Sequence, residues 1–413
     1  MGDATDDTAE LSAVPAAPDA PGAVTARPIT SHRAPRRRRR WPWIALACVV
    51  LALGLVAAAG LWHVSGLIGA GARVAQPDAG FPLIITAAQG TSVTYSGPVA
   101  EDADRGLMGL ATVEGGYVQT DRPSSAGGQT TRAVTAQALP PVPAAGEDAV
   151  LDGWYFPRNP LVGLGLSFEE VRYDAPLGAT PAWFIPGPAT TWVVFTHGRG
   201  ASPAEGLRMA ETVSGLGYPM LLIRYRNDAR SPQADGLGRF GATEWRDLEA
   251  AVQYALDNGA EKVVLAGASM GGAISLAFLQ NSALADRVVG AFLDSPVTDF
   301  AAVVEGEAAD MGLPPLVTSA AMSVAAWRYG FDWAATDYTA AAAGFTTPMV
   351  IVQGTADATV PAAVTEAFAA AADPAVVTLE LFEGAGHVLA WNVDRPRYAA
   401  LLAGFLGQVA PVS

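Results

Sequence analysis

The stretch that most constrains this chain is residues 262–272, KVVLAGASMGG. Residues 262–266 form a short, apolar, β-branched run that reads as a buried strand. Gly267, Ala268, Ser269, Met270 and Gly271 follow, and the apolar run 273–279 reads as a helix. Strand, G-x-S-x-G, helix sets a serine on a sharp turn, which needs small residues two places to either side. Ser269 is therefore the candidate nucleophile. The next amide, on Met270, is expected to point from a helix N-terminus toward the place where an oxyanion would form.

The surroundings of this stretch repeat its texture. From about residue 162, apolar strands alternate with helical patterns. Strands are expected at 168–173, 182–185, 192–196, 220–225, 288–293, 349–353 and 376–382. Thr243 is expected to cap a helix with Trp245, Leu248, Val252 and Ala255 on its apolar face, closed by Asn258-Gly259. Helices between apolar, non-alternating strands imply a mostly parallel sheet covered on both faces. Active residues of such sheets lie beyond the carboxyl ends of the strands.

A serine nucleophile needs a base, and histidine suits neutral pH. The chain has four histidines. His32 and His63 lie far toward the N-terminus, and His197 opens a strand-end loop. His387 follows the last strand in a Gly-Ala-Gly-His turn, so elimination makes it the base. The base needs a carboxylate to fix its tautomer. Asp357 follows the next-to-last strand, and Asp294 at the end of the preceding strand is the alternative. Loop 197–200, His-Gly-Arg-Gly, is expected to supply the second oxyanion donor from the Arg199 amide, with Gly200 the alternative. His197 is expected to brace that loop. The Arg199 side chain is a candidate for an anionic substrate group.

Residues 299–347 hold helix-like runs at 300–309, 316–329 and 333–343, an insertion expected to overhang the serine as a cap. Met311, Met322, Trp327, Tyr329, Phe331 and Trp333 are candidates to line an acyl pocket, with a place in the cap's own core the alternative that their helical spacing favours. His197, Gly198, Gly200 and Trp391 join Trp327 as candidates for substrate contact.

The N-terminal side is different. Residues 1–42 are rich in Ala, Pro, Asp and Thr and read as a disordered basic tail ending near the run Arg36 to Arg40. Residues 43–62 are uncharged and long enough to cross a bilayer as a helix, with Trp41, Trp43 and Trp62 at its ends. The arginines predict a single-pass protein with a cytoplasmic N-terminus and the rest outside. The rival is a signal peptide cleaved at Ala70-Gly71-Ala72. Residues 63–80 read as a linker and 81–161 as a β-rich extension, with runs at 81–86, 92–95, 117–119 and 132–136.

The chain is 51% hydrophobic and 16% charged, with a net charge of −15. That supports a large core and argues against nucleic acid as a partner of the folded part. The one cysteine, Cys48, lies inside the apolar run, so neither a disulfide nor a thiolate metal site is expected.

At these residues the chain resembles the α/β-hydrolase superfamily, and more closely the membrane-anchored hydrolases of actinobacteria. The matching blocks are HGRGASPAEGLR at 197–208, YRND at 225–228, EWRDLEAAVQYAL at 244–256 and GASMGGA at 267–273. LDSPV at 293–297, GTADATVP at 354–361 and GAGHVLAWNVDRPRY at 384–398 complete them. The resemblance runs from roughly residue 80 to 410, the β-rich part included, and implies an α/β-hydrolase fold, acyl-enzyme chemistry on Ser269, Asp357 and His387, and no cofactor; the strand–helix pattern sets the catalytic domain at 162–413, and no metal is expected. The expected substrate is a small-molecule or acyl ester. A prolyl-oligopeptidase-like peptidase, an acyltransferase and a non-catalytic surface module are the alternatives.

Overall fold

The computed structural model describes residues 40–74, 80–99, 105–126 and 128–412, so residues 1–39 of the expected tail lie outside the described residues. The chain divides into two units, Met1–Leu55 and Val56–Ser413. What is described of the first is the opening of helix α1, Trp41–Gly71. Residues 41–60 are all exposed. A stretch that is apolar all round and exposed along its length is suited to lipid rather than water. By length and composition α1 is able to cross a membrane. At about 1.5 Å per residue it runs some 46 Å, beyond the roughly 30 Å of a hydrocarbon core.

The second unit opens with the rest of α1, where the sequence predicts a linker. The structure keeps 63–71 helical because they pack. Ser65 and Gly69 are buried, and a side chain at Gly69 would strike the Tyr329 ring. Arg328 Nη1 donates to the Trp62 carbonyl at 2.7 Å and to Ser65 Oγ at 2.6 Å. Its guanidinium lies 3.6 Å from the Trp62 ring centroid. Past the helix, Ala72 is fully buried. Its carbonyl accepts from the Gly238 amide at 2.7 Å, and the Val74 amide donates to the Gly236 carbonyl at 3.0 Å.

The β-rich extension is a closed barrel. Its strands are β1 (Leu83–Ala88), β2 (Ser92–Ser96), β3 (Met108–Thr112), β4 (Tyr117–Ala126), β5 (Gln129–Leu139) and β6 (Asp148–Asp152). They run in the order β1-β2-β5-β4-β3-β6, with β6 pairing back to β1. Leu83, Ile85, Val93, Tyr95, Leu110 and Val118 fill it. β3 and β6 are absent from the sequence reading. Gly109 weakens β3 as a strand signal, yet glycine is needed there because Tyr117 lies across it.

After α2 (Pro160–Leu164) come β7 (Glu169–Ala175), β8 (Gly178–Ile185), β9 (Thr191–Thr196), α3 (Leu207–Gly215), β10 (Met220–Ile223), α4 (Trp245–Asp257), β11 (Lys262–Ala268) and α5 (Met270–Asn281). Then follow β12 (Val288–Asp294), α6 (Phe300–Asp310), α7 (Pro315–Tyr329), β13 (Met349–Gly354), α8 (Ala362–Ala371), β14 (Val377–Phe382), α9 (Ala390–Val393) and α10 (Arg395–Val409). Among the described residues β7–β14 form one eight-stranded sheet in the order β14-β13-β12-β11-β9-β10-β8-β7. β9 to β14 pair in parallel, and β8 is antiparallel to both its neighbours.

Side chains along β9 alternate between two cores. Trp192 and Val194 join Leu248, Val252 and Ile274 of α4 and α5. Val193 and Phe195 join Leu207, Leu402 and Phe405 of α3 and α10. Burial on both faces explains why this strand reads as a continuous apolar run.

Two local expectations are corrected. Glu244, not Thr243, stands at the α4 N-cap, and it makes no side-chain cap. The Glu244 carboxylate instead accepts the Arg239 and Gly241 amides of the preceding loop, at 2.7 and 3.2 Å. In the cap, run 333–343 is no helix but two 3₁₀ turns, Ala334–Thr336 and Ala342–Gly344. Asp332 and Asp337 accept the amides of Ala335 and Ala340 and hold local turns there.

Candidate active site

Ser269 sits between β11 and α5 with φ 52° and ψ −118°. A non-glycine residue at positive φ is strained and is held only where its surroundings demand it. The demand is visible in the neighbours. A Cβ on Gly267 would lie 2.7 Å from the Gly271 carbonyl oxygen, and one on Gly271 would strike the Thr196 carbonyl. The Ser269 amide donates to the Asp294 carbonyl at 2.9 Å. The motif's glycines are therefore steric necessities of a turn wedged between β9 and β12.

His387 lies on the loop after β14. Its Nε2 is 2.8 Å from Ser269 Oγ, and its Nδ1 is 2.8 Å from Asp357 Oδ2. Asp357, after β13, is buried. Its Oδ1 accepts the amides of Thr359 and Val360 at 2.9 and 2.8 Å, and its Oδ2 accepts Gln353 Nε2 at 3.0 Å. Asp294 faces elsewhere. Its carboxylate accepts from Ser295 Oγ at 3.2 Å and from the Tyr398 hydroxyl at 3.1 Å.

The 197–200 loop passes over the serine: a Cβ on Gly198 would sit 3.2 Å from Ser269 Cβ. His197 is fully buried and stacks on Tyr225, ring centroids 4.6 Å apart. Its Nε2 bonds Asp228 Oδ2 and its Nδ1 the Gly198 carbonyl, both at 2.8 Å. Burial would pull this imidazole down, but the Asp228 carboxylate prevails and raises its pKa. The Tyr225 hydroxyl donates to the His197 and Gly198 carbonyls, and the Gly198 amide donates to Glu205 Oε2 at 2.7 Å. Met270 opens α5, so its N–H has no intrahelical acceptor.

A cavity of about 380 Å³ opens above Ser269 and His387. Arg199 lines it, and its Nη1 donates to the Arg73 carbonyl at 3.0 Å. Glu307 lines it too. Burial pulls the Arg199 guanidinium down and pushes the Glu307 carboxyl up, each opposed by the other's charge. Of the expected acyl-pocket residues only Met311 lines this cavity. Met322 and Phe331 are buried in the core beneath the cap. Trp327 is exposed and packs on Trp62 instead. Trp391 is buried against Tyr155 and Phe156, so its expected substrate contact is corrected to a core role. His197, Gly198 and Gly200 also fall outside the lining; the first two are buried in the loop's own bonding, and Gly200 is exposed with φ 71°.

Residues 193–401, just over half of the chain, match the alpha/beta hydrolase family. The chain belongs to the alpha/beta hydrolase family. Among solved structures it is similar to an esterase of Pyrococcus furiosus, at 20% identity over 61% of this chain and 94% of that one, with a TM-score of 0.49. It is also similar to a thermophilic esterase of Thermogutta terrifontis, at 18% identity over 58% and 99% of the two chains, with a TM-score of 0.44. An esterase of Exiguobacterium antarcticum shares 19% identity over 58% and 99%, with a TM-score of 0.43. No curated protein matches the sequence.

Several residues that shape this alpha/beta hydrolase's site are absent from the sequence reading. Gln353 is fully buried and bonds Asp357, the Gly354 carbonyl and the Val360 carbonyl. Its signal is a polar side chain in an otherwise apolar strand, which burial obliges to find partners. Glu205 holds the 197–200 loop through the Gly198 amide, while Asp228 holds it through His197, within the stretch 224–228 that reads from the sequence as a loop bracing the site. Val64, Leu67 and Ile68 of α1 wall the cavity, and no local pattern signals that.

Asp294 gives a pH expectation. Burial pushes its carboxyl from 3.8 up to about 6. Between those values the folded state holds the proton and the unfolded chain does not. Stability therefore falls as pH rises through that window, by up to about 3 kcal/mol, and the loss is complete above it. Asp294→Asn is expected to flatten that slope in urea unfolding between pH 4 and 7. A slope unchanged by the substitution would contradict this placement of the charge.

Proposed function

We propose that the chain is a membrane-anchored serine hydrolase that cleaves an ester through an acyl-enzyme on Ser269. The observation that carries this reading is the line from Ser269 Oγ through His387 to Asp357, 2.8 Å at each step, at the floor of a cavity. His387 Nε2 takes the hydroxyl proton as Oγ attacks the carbonyl carbon. Asp357 keeps the imidazole proton on Nδ1 and stabilises the imidazolium. The amides of Arg199 and Met270 bind the oxyanion. His387 then protonates the leaving alcohol and activates the water that frees the acid.

Phe300, Val303, Val304 and Ile68 make much of the cavity wall apolar, which favours an acyl ester over a peptide. A surface module that had abandoned catalysis would be expected to have lost one of the three residues.

The packing of Ser65, Gly69 and Ala72 supports an anchor that stays attached, because cleavage at 70–72 would strip buried residues from the domain. The arginine run favours a cytoplasmic N-terminus with the hydrolase outside.

The full-length chain in detergent is expected to turn over p-nitrophenyl esters. Its kcat/KM should rise about threefold to fourfold per added methylene until the cavity is filled. Folded protein that cleaves none of the series would refute the reading.

A further inference from the structure

One wall of the cavity over Ser269 is made by α1 itself, through Val64, Leu67, Ile68 and Gly71. A tether alone has no need to line a substrate cavity. These residues lie at the C-terminal end of the same helix, Trp41–Gly71, that is able by length and composition to cross a bilayer. α6 also lines the cavity, with Phe300, Val303 and Val304.

The elements that line the cavity also carry exposed apolar side chains. Leu67 and Met311 line the cavity and are also 45% and 58% exposed. Trp62, Leu316 and Trp327 are 53%, 83% and 78% exposed. They lie on α1 and α7, which also contribute lining residues, and the rings of Trp62 and Trp327 pack edge to face at 6.4 Å. Single exposed apolar residues are ordinary, but a cluster on the elements that frame one opening marks an interaction surface. Tryptophans favour the boundary between water and bilayer.

We infer that the ester cut at Ser269 belongs to an acyl lipid of the membrane that holds α1, its acyl chain entering the cavity between the end of α1 and the cap. The inference rests on the serine-hydrolase and anchor reading above. The net charge of −15 disfavours anionic headgroups and points to a neutral or zwitterionic lipid. Ser269 Oγ bonds the acyl carbonyl carbon, and the bond from that carbon to the lipid's alcohol oxygen breaks. His387 delivers the proton to that oxygen. Water then adds, releases the fatty acid and restores the serine.

The test uses the full chain reconstituted in phosphatidylcholine vesicles containing dioleoylglycerol, with oleate release and turnover of p-nitrophenyl butyrate read in the same preparation. The parent is expected to cleave both. In the doubly substituted Leu316→Asp, Trp327→Asp chain, whose changes lie outside the cavity lining, oleate release is expected to fall about tenfold relative to butyrate turnover, because charge opposes seating at the interface. Butyrate turnover by the parent without oleate release overturns the inference and leaves the hydrolase reading standing. A ratio unchanged by the double substitution overturns it as well. Folded parent that cleaves neither substrate overturns the hydrolase reading, and the inference with it.

Discussion

Ser269→Ala is expected to lower kcat by about 10⁵- to 10⁶-fold, the loss that follows removal of a nucleophile acting as one unit with its base. The fold should survive. The serine hydroxyl makes its one described side-chain bond to His387, and alanine at φ 52° bears the same backbone strain as serine. The check is steady-state turnover of p-nitrophenyl butyrate beside the thermal midpoints of parent and variant. A loss below tenfold in a folded variant would mean that another group attacks the ester.

Asp357→Asn is expected to lower kcat by about 10⁴-fold at nearly constant KM. An amide in place of the carboxylate presents a donor toward His387 Nδ1 and favours the tautomer with its proton on Nε2. That nitrogen, 2.8 Å from Ser269 Oγ, is then unable to accept the serine proton. The same substitution at Asp294 should change kcat less than about tenfold, because that carboxylate bonds Tyr398 and Ser295 rather than the imidazole. The pair of variants separates the two acids by kinetics. A larger loss at Asp294 would reverse their roles.

What the sequence reveals and what it hides follow from the range of the interactions. The turn at Ser269 is legible because its requirements are local: a β-branched strand, small residues flanking the serine, and a helix directly after. Asp357 and His387 are legible because parallel strands deliver their carboxyl ends to one edge of the sheet.

The continuation of α1 past Trp62 is not legible. Its partner Arg328 lies 266 positions away in sequence, and HVSGLIGAG carries no local mark of burial. Trp391 reads as a substrate residue by its place in a block beside His387, yet Tyr155 and Phe156, from the segment joining barrel and sheet, enclose it. Met322 and Phe331 repeat the lesson, since an aromatic or methionine at helical spacing packs a core as readily as it lines a pocket. The barrel was legible as β texture but not as a closed ring, because closure depends on β6 pairing with β1 across the whole module.

The most direct test of the central claim is to treat the full-length chain with a fluorophosphonate and map the adduct by peptide mass spectrometry. One stoichiometric adduct is expected, on the peptide carrying Ser269, with labelling abolished in Ser269→Ala and greatly slowed in Asp357→Asn. An adduct on a different residue, or none on folded protein that still hydrolyses esters, would contradict it.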